Sequence, residues 1–286
     1  MSPMDLPAPL SVAIEGAELE VQFLPGRPGL DKQPTLVFLH EGLGSVAMWQ
    51  QKGRHWPSEL SRATGLGALV YSRRGYGASS PIERVREQHQ PKGFWHTGRH
   101  RADYMHFEAW EVLPRLLKAC AIERPVLVGH SDGATVALLH AARFPVAATV
   151  ALAPHVVVEQ VALTAISQAR QAYETGGLRE RLARYHTHVD SAFWQWNDVW
   201  LSTEFRSFDI RGECQLVQTP LMLAQGLQDE YGTLLQLDEI VRAAPHAQRL
   251  ELDRCGHSPH RDQPERLTQA IAGFLRDAGL AVKDST

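Results

Sequence analysis

The chain has 286 residues, of which 44% are hydrophobic and 21% charged, so it can bury the core of one large domain. Its formal net charge of -3 leaves no overall basic surface, which argues against nucleic acid or an anionic membrane as a partner. Three widely spaced cysteines, Cys120, Cys214 and Cys255, match neither a disulfide framework nor a metal-binding CxxC motif.

The N-terminal segment, residues 1–9, has neither the basic start nor the apolar stretch of a secretory signal. No apolar run in the sequence approaches the roughly 20 residues that span a bilayer. We therefore expect a cytoplasmic protein that does not associate with a membrane.

The first predicted elements are two short strands that form an antiparallel hairpin around Glu15 and Gly16. Six further short runs follow, and most of them are almost continuously apolar, which is typical of strands buried on both faces of a parallel sheet. The hairpin strands are residues 10–14 and 19–24, and the later runs are residues 35–39, 68–71, 125–128, 149–153, 220–224 and 249–252.

Helical patterns lie between these strands and produce a β-α-β alternation. This order predicts a mostly parallel, doubly wound α/β sheet of about eight strands with helices on both faces. We assign residues 1–155 and 213–286 to this core. The predicted helices are residues 47–62, 101–120, 133–143, 233–243 and 264–278.

Two segments interrupt the alternation. Residues 81–98 are polar and irregular, and predict a long surface excursion. Residues 156–212 are helical in pattern and rich in aromatic side chains, and an insertion of this length is no simple turn. We interpret it as a helical lid over the carboxyl ends of the strands, where open α/β sheets bind ligands. Most of its aromatic residues should pack the lid onto the core, and the candidates to face a substrate are Trp194, Trp196 and Trp200.

The most specific motif is Gly129-His130-Ser131-Asp132-Gly133, which has the form G-x-S-x-G. It directly follows a predicted strand and directly precedes a predicted helix, as a nucleophile elbow requires. Glycines two positions before and after the serine let strand and helix approach closely. The pattern predicts that Ser131 is a nucleophile exposed at a helix N-terminus.

A serine nucleophile needs a base and a group that orients the base. Asp229 follows the predicted strand at 220–224, and His257 follows the last predicted strand, so both should lie at the same sheet edge as Ser131. The competing carboxylates for the acid position are Glu230 and Asp209. We predict a triad of Ser131, Asp229 and His257.

Acyl transfer also needs backbone N–H groups that point at the developing oxyanion. The residue after the nucleophile, Asp132, should supply one of them. The second should come from the glycine-rich loop at residues 40–45, where we assign Gly42.

These motifs together resemble the α/β-hydrolase superfamily, in the branch of small lid-bearing esterases, lactonases and C–C bond hydrolases. The resemblance extends over nearly the whole chain, from the loop at His40 to Gly256-His257. It implies a small carboxylic ester or lactone as the substrate, with no cofactor and no metal. The alternatives are a C–C bond hydrolase or an aminoacyl-ester hydrolase on the same triad, and a non-catalytic receptor for a small ligand. The oligomeric state is not predicted.

Two carboxylates depart from the usual pattern of the superfamily. Glu41 replaces a glycine that usually follows the loop histidine, and Asp132 resembles the aspartate that receives the substrate α-amino group in valacyclovir hydrolase. Both are candidates for binding a cationic substrate. Alternatively, Asp132 caps its own helix or pairs with Arg73 or Arg74.

The string His186-Thr187-His188-Val189-Asp190 has a spacing seen in metal sites. It lies in the predicted helical lid, away from any further set of ligands, so we predict no metal site there.

Overall fold

The structure is a computed structural model that describes residues 6–28 and 33–281. Most of the N-terminal segment on which the expectation of no secretory signal rests therefore lies outside the described residues. None of the helices in the described ranges has the length and apolar character needed to cross a membrane.

The strands and helices alternate along the chain as the apolar pattern predicts. The strands are β1 (Leu10–Ile14), β2 (Ala17–Leu24), β3 (Thr35–Leu39), β4 (Gln50–Gln51), β5 (Arg54–His55), β6 (Ala68–Tyr71), β7 (Gln90–Lys92), β8 (Trp95–Thr97), β9 (Pro125–His130), β10 (Ala148–Leu152), β11 (Leu221–Gly226) and β12 (Gln248–Leu252). The helices are α1 (Trp56–Thr64), α2 (Tyr104–Phe107), α3 (Leu113–Ala119), α4 (Asp132–Ala141), α5 (Gln160–Thr175), α6 (Leu178–Leu182), α7 (Val189–Trp200), α8 (Arg211–Cys214), α9 (Leu235–Ala243), α10 (Pro259–Asp262) and α11 (Pro264–Asp277).

Eight strands form one sheet in the order β1-β2-β6-β3-β9-β10-β11-β12. β1 with β2 and β2 with β6 are antiparallel, and the other neighbours are parallel. The predicted α/β fold with a mostly parallel sheet of about eight strands is confirmed. Since parallel strands end at the same edge, the loops after β3, β9, β10, β11 and β12 converge there.

Both faces of the sheet are buried, which explains the continuous apolar runs. Alternate residues of β3 point to opposite sides: Val37 and Leu39 belong to one buried cluster, whereas Leu36 and Phe38 belong to the other. The first cluster includes residues of α3, α4 and α9, and the second includes residues of α1 and α11.

The predicted continuous helix at 47–62 is wrong in its first half. The structure has a 3₁₀ turn at Ala47–Trp49 and then the small hairpin β4–β5, and only afterwards α1. The hairpin turns at Lys52 and Gly53, whose φ angles are 50° and 77°. This left-handed pair cannot continue a right-handed helix, so it interrupts the helical pattern.

The predicted helix at 101–120 forms from Tyr104 onward, with a π-helical turn, Glu108–Val112, between α2 and α3. Leu113 N–H donates to the carbonyl of Glu108, five residues back. Pro114 follows directly and has no N–H of its own to donate, which is a sequence cause of the irregularity.

The π turn buries Glu108 under the sheet. Tyr71 Oη donates to Glu108 Oε1 at 3.0 Å. Burial raises the pKa of Glu108 to about 6, although the Arg73 charge acts to lower it. The carboxyl of Glu108 therefore gives up its proton at a higher pH in the folded chain than in the unfolded chain.

We predict that Glu108→Gln changes the pH dependence of stability. Between about pH 4.5 and 6 the folded chain binds this proton more tightly than the unfolded chain. The contribution of Glu108 to the free energy of unfolding therefore falls as the pH rises through 6. The variant should be more stable than the natural chain by about 2 kcal/mol at pH 8, and equal to it below about pH 4.5. Denaturant unfolding at both pH values measures this, and a difference that does not vary with pH would contradict it.

Candidate active site

Ser131 lies in the tight turn between β9 and α4, at the edge where the strands end. Its φ and ψ angles are 53° and -118°, in a region that a residue with a side chain adopts only under strain of about 1–3 kcal/mol. Two backbone hydrogen bonds hold the turn: Ser131 N–H donates to Leu152 O at 2.8 Å, and Ala134 N–H donates to Ser131 O at 2.9 Å.

The two glycines of the motif are required by close backbone contacts. A Cβ atom on Gly129 would lie 2.2 Å from the carbonyl oxygen of Gly133. A Cβ atom on Gly133 would lie 2.1 Å from the carbonyl oxygen of Leu39, at the end of β3. The strand, the helix and the neighbouring strand can approach this closely only when both positions are glycine.

The structure brings Ser131, His257 and Asp229 together in a hydrogen-bonded row. His257 Nε2 lies 2.9 Å from Ser131 Oγ. His257 Nδ1 lies 2.8 Å and 2.9 Å from the two carboxylate oxygens of Asp229. The contact with Asp229 makes Nδ1 the protonated nitrogen, which leaves Nε2 free to accept the serine hydroxyl proton.

Asp229 is held in place as an anion. Its side chain is only 1% exposed, and its Oδ1 accepts the N–H groups of Tyr231 at 2.8 Å and Gly232 at 3.2 Å. Burial acts to raise its pKa, but the hydrogen bond and charge of His257, together with the Tyr231 N–H, hold the pKa below its ordinary value.

The two competing carboxylates do not reach the imidazole of His257. Glu230 Oε2 accepts the backbone N–H of His257 at 3.1 Å, so it positions the loop. Asp209 pairs with Arg211 at 2.5 Å in the segment between β10 and β11.

Arg73 connects the two segments that carry the predicted oxyanion donors. Its guanidinium donates to the carbonyls of His40 at 3.0 Å and Glu41 at 3.1 Å, directly before Gly42. The same guanidinium lies 3.8 Å from the carboxylate of Asp132. Arg73 therefore ties the loop after β3 to the first turn of α4, at a site that is 4% exposed.

The carboxylate of Asp132 is buried among protein partners. Tyr104 Oη donates to it at 2.6 Å, and Trp200 Nε1 donates at 3.3 Å. Burial raises the pKa of Asp132, while Arg73 acts in the opposite direction. Of the roles considered for this side chain, pairing with Arg73 is supported by their contact at 3.8 Å.

The carboxylate of Glu41 also has partners within the chain. Its Oε1 accepts from Arg261 Nη2 at 2.8 Å, and its Oε2 lies 3.4 Å from His130 Nδ1. Burial acts to raise the pKa of Glu41, but the Arg261 charge together with the hydrogen bond and charge of His130 outweighs it, and the pKa lies well below its ordinary range. The carboxylate already has its counter-charge.

The three lid tryptophans are not equivalent. Trp196 packs on the loop after β3, since a Cβ atom on Gly42 would lie 2.2 Å from its Nε1. Trp200, one turn further along α7, reaches Asp132. Trp194 lies on another face of α7, where the guanidinium of Arg86 stacks 3.6 Å from its ring centre. The structure places Trp196 and Trp200 beside the site. Trp194 instead packs against Arg86.

Three further imidazoles surround His257, and the sequence analysis missed them. His130 Nε2 donates to the carbonyl of His257 at 2.7 Å. The ring centres of His155 and His257 are 5.6 Å apart. His260 packs on His130 at 4.8 Å. Burial lowers the pKa of His155 to about 3 and that of His260 well below 6.5, so these two rings stay neutral near pH 7. In the sequence, only the position of His155 in the loop after β10 indicated that one of these rings lies near the site.

His186 fastens the segment between β10 and β11 to the core. Its Nδ1 accepts the N–H of Gly77 at 2.9 Å, and its Nε2 donates to the carbonyl of Leu43 at 3.0 Å. Asp190, at the end of the same string, pairs with Arg179 at 2.8 Å. Within the described ranges, no group of three or more His, Cys, Asp or Glu residues is arranged to hold a metal ion.

The site is almost shut off from solvent. Ser131 is 6% exposed, and the side chain of His257 is 11% exposed. Trp196 and Trp200 of α7 cover it from the side of the segment between β10 and β11.

A family model described as "Alpha/beta hydrolase family" matches residues 36–270. The chain belongs to this family. Its matched region contains the strained turn at Ser131, the Asp229 loop and the His257 loop. A comparison with functionally curated proteins finds no match.

Solved structures of the same fold include an enol-lactonase, a carboxylesterase and a proline iminopeptidase. The chain is similar to an enol-lactonase from Burkholderia xenovorans LB400, with 20% identity, a TM-score of 0.67 and coverage of 93% of this chain and 100% of the other. It is similar to a carboxylesterase from Nitrososphaera gargenis, with 15% identity, a TM-score of 0.69 and coverage of 95% and 99%. It is also similar to a proline iminopeptidase from Mycobacterium smegmatis, with 17% identity, a TM-score of 0.65 and coverage of 96% and 99%. At these identities the likeness establishes the fold.

We predict that Gly133→Ala destabilises the chain by about 3 kcal/mol, because the new Cβ atom would overlap the carbonyl of Leu39. The matched control is Gly273→Ala in α11, where a Cβ atom would meet nothing within 4 Å. That change should stabilise the chain by about 1 kcal/mol, since alanine favours a helix interior. Urea unfolding of both variants measures the two effects, and equal effects would contradict this account of the turn.

Proposed function

We propose that the chain is a serine hydrolase that cleaves small carboxylic esters or lactones through an acyl-enzyme on Ser131. The observation that carries the proposal is the row from Ser131 Oγ to His257 Nε2 at 2.9 Å and from His257 Nδ1 to Asp229 at 2.8 Å. This arrangement can remove the serine proton as the hydroxyl attacks a carbonyl. Membership of the alpha/beta hydrolase family supports a hydrolytic reaction.

In the first half-reaction, Ser131 Oγ attacks the carbonyl carbon while His257 Nε2 takes its proton. The N–H of Asp132, at the N-terminus of α4, and the N–H of Gly42 stabilise the oxyanion. Asp229 stabilises the imidazolium that forms. His257 then protonates the leaving alkoxide, and the acyl group stays on Ser131 as an ester.

In the second half-reaction, water attacks the acyl-enzyme and gives its proton to His257. The tetrahedral intermediate collapses, Ser131 recovers its proton, and the carboxylic acid leaves. For a lactone the product is a single hydroxy acid, because the leaving alcohol belongs to the same molecule.

The proposal includes a division of the chain into a core, residues 1–155 and 213–286, and a lid, residues 156–212. Trp196 and Trp200 of the lid lie beside the site and would give an acyl pocket an apolar wall. Ser131 is only 6% exposed, and we propose that the lid moves to admit a substrate.

The observations favour a neutral ester or lactone over an aminoacyl ester. An α-amino group would need a free carboxylate, but Asp132 is bonded to Tyr104 and Trp200, and Glu41 is paired with Arg261. Among the similar structures, the enol-lactonase and the carboxylesterase agree with an oxygen-ester substrate, whereas the proline iminopeptidase does not.

Asp229→Asn should reduce kcat on an ester by about 10³–10⁴-fold, because an amide can hold the wrong tautomer of His257. Ser131→Ala should remove acyl-enzyme turnover. The matched control is Asp209→Asn, an acidic residue that pairs with Arg211, which should change kcat by less than about twofold. Steady-state kinetics on purified variants with unchanged circular dichroism measures this. Equal activity of Asp229→Asn and Asp209→Asn would contradict the role of Asp229.

Mixing the enzyme with a large excess of p-nitrophenyl acetate or butyrate should release a burst of p-nitrophenol, followed by steady turnover, as expected for acylation and then slower deacylation. Stopped-flow absorbance measures the burst, and Ser131→Ala should show none. Slow turnover of these esters with rapid cleavage of a diketone would favour C–C bond hydrolysis. Tight binding of a small ligand without any turnover would favour a receptor.

A further inference from the structure

A second pocket lies outside the candidate active site, between the hairpin β7–β8 and the start of α2. It opens to solvent, has a volume of about 290 Å³, and is lined mostly by rings. This is near the lower end of the range for small-molecule sites, which is about 300–1,000 Å³. The rings on the side of the pocket that is used below belong to Phe94, Trp95, His96, His100, Tyr104 and Phe107.

Next to this pocket is a smaller cavity of about 20 Å³, enough for one oxygen atom of the size of water. The two spaces adjoin, because they share the side chains of Trp95, His96, His100, Tyr104 and Phe107.

Buried polar atoms of the cavity walls have no hydrogen-bond partner within the described chain. They are Nε of Arg74, Nε2 of His96, Nε2 of Gln195 and Oη of Tyr76. His96 is 7% exposed and Gln195 is 1% exposed. An unpaired buried donor costs about 1–3 kcal/mol, so a ligand oxygen that accepts from these groups would recover that free energy.

The charges around the cavity favour an anion. Arg73 and Arg74 line it with one carboxylate, Glu108, which Tyr71 already engages, and Arg73 also lies 3.8 Å from the carboxylate of Asp132. In the described residues no carboxylate lies within 4.0 Å of the Arg74 guanidinium, which instead donates to the carbonyl of His96 at 2.9 Å. The opposite charge that acts on Arg74 is that of Glu83, which lies beyond 4.0 Å and pairs with Lys92 at 3.0 Å.

We propose that this pocket and cavity form a binding site for a small aromatic carboxylate, separate from Ser131. The aromatic ring stacks against Trp95 and Phe107 in the open pocket. One carboxylate oxygen enters the cavity between His96 and His100 and accepts hydrogen bonds from Arg74 and Gln195. Neither Ser131, Asp229 nor His257 lines the pocket or the cavity.

Titration calorimetry with benzoate tests this site. Benzoate should bind, and both benzamide, which lacks the charge, and cyclohexanecarboxylate, which lacks the aromatic ring, should bind at least about tenfold more weakly. Equal binding of the three probes, or no binding of benzoate, would overturn the proposal.

Gln195→Glu places a negative charge at the unpaired amide while keeping the shape of the side chain. It should weaken benzoate at least about tenfold and weaken the neutral benzamide, which loses one hydrogen-bond donor but meets no charge repulsion, by a smaller factor. The control Gln171→Glu adds the same charge at an exposed position of the lid and should leave benzoate unchanged within about twofold. Equal effects of the two variants would overturn the assignment.

Nuclear magnetic resonance of ¹⁵N-histidine protein locates the ligand even if Gln195→Glu fails to fold. Benzoate should shift the imidazole signals of His96 and His100, assigned with His96→Gln and His100→Gln, and leave that of His257 in place. A shift of His257 alone would place benzoate in the candidate active site and overturn the proposal.

Discussion

The candidate site depends on one strained turn. Ser131 holds a φ of 53° because Gly129 and Gly133 let β9, α4 and β3 approach closer than any side chain would permit. That turn lifts the hydroxyl out of the sheet and directs the first N–H of α4 towards the same space. The loops of Asp229 and His257 reach the hydroxyl only because β11 and β12 end at that edge.

A second constraint fixes the loop after β3 relative to the start of α4. The buried Arg73 binds the carbonyls of His40 and Glu41 and faces Asp132, so the loop after β3 and the start of α4 share one rigid support. The segment between β10 and β11 rests on the same support through Trp200 and Asp132. Movement of that segment would therefore change the surroundings of the proposed oxyanion donors.

Sequence patterns predicted the features that follow from local chemistry. Buried strands need apolar runs, the turn at Ser131 needs glycines, and the chain order places Asp229 and His257 at one edge. The helix at 47–62 was wrong because a left-handed turn at Lys52 and Gly53 overrides an apolar pattern. The partners of Asp132 and Glu41, and the different faces of Trp194 and Trp196, depend on packing between segments distant in sequence, which no local pattern encodes.

Labelling with a fluorophosphonate, followed by peptide mass spectrometry, tests most directly whether the strained turn presents an activated hydroxyl. We expect one adduct per chain, on Ser131, and a labelling rate that falls when His257 is replaced by glutamine. An adduct on another residue, or labelling of Ser131 that is indifferent to His257, would contradict it.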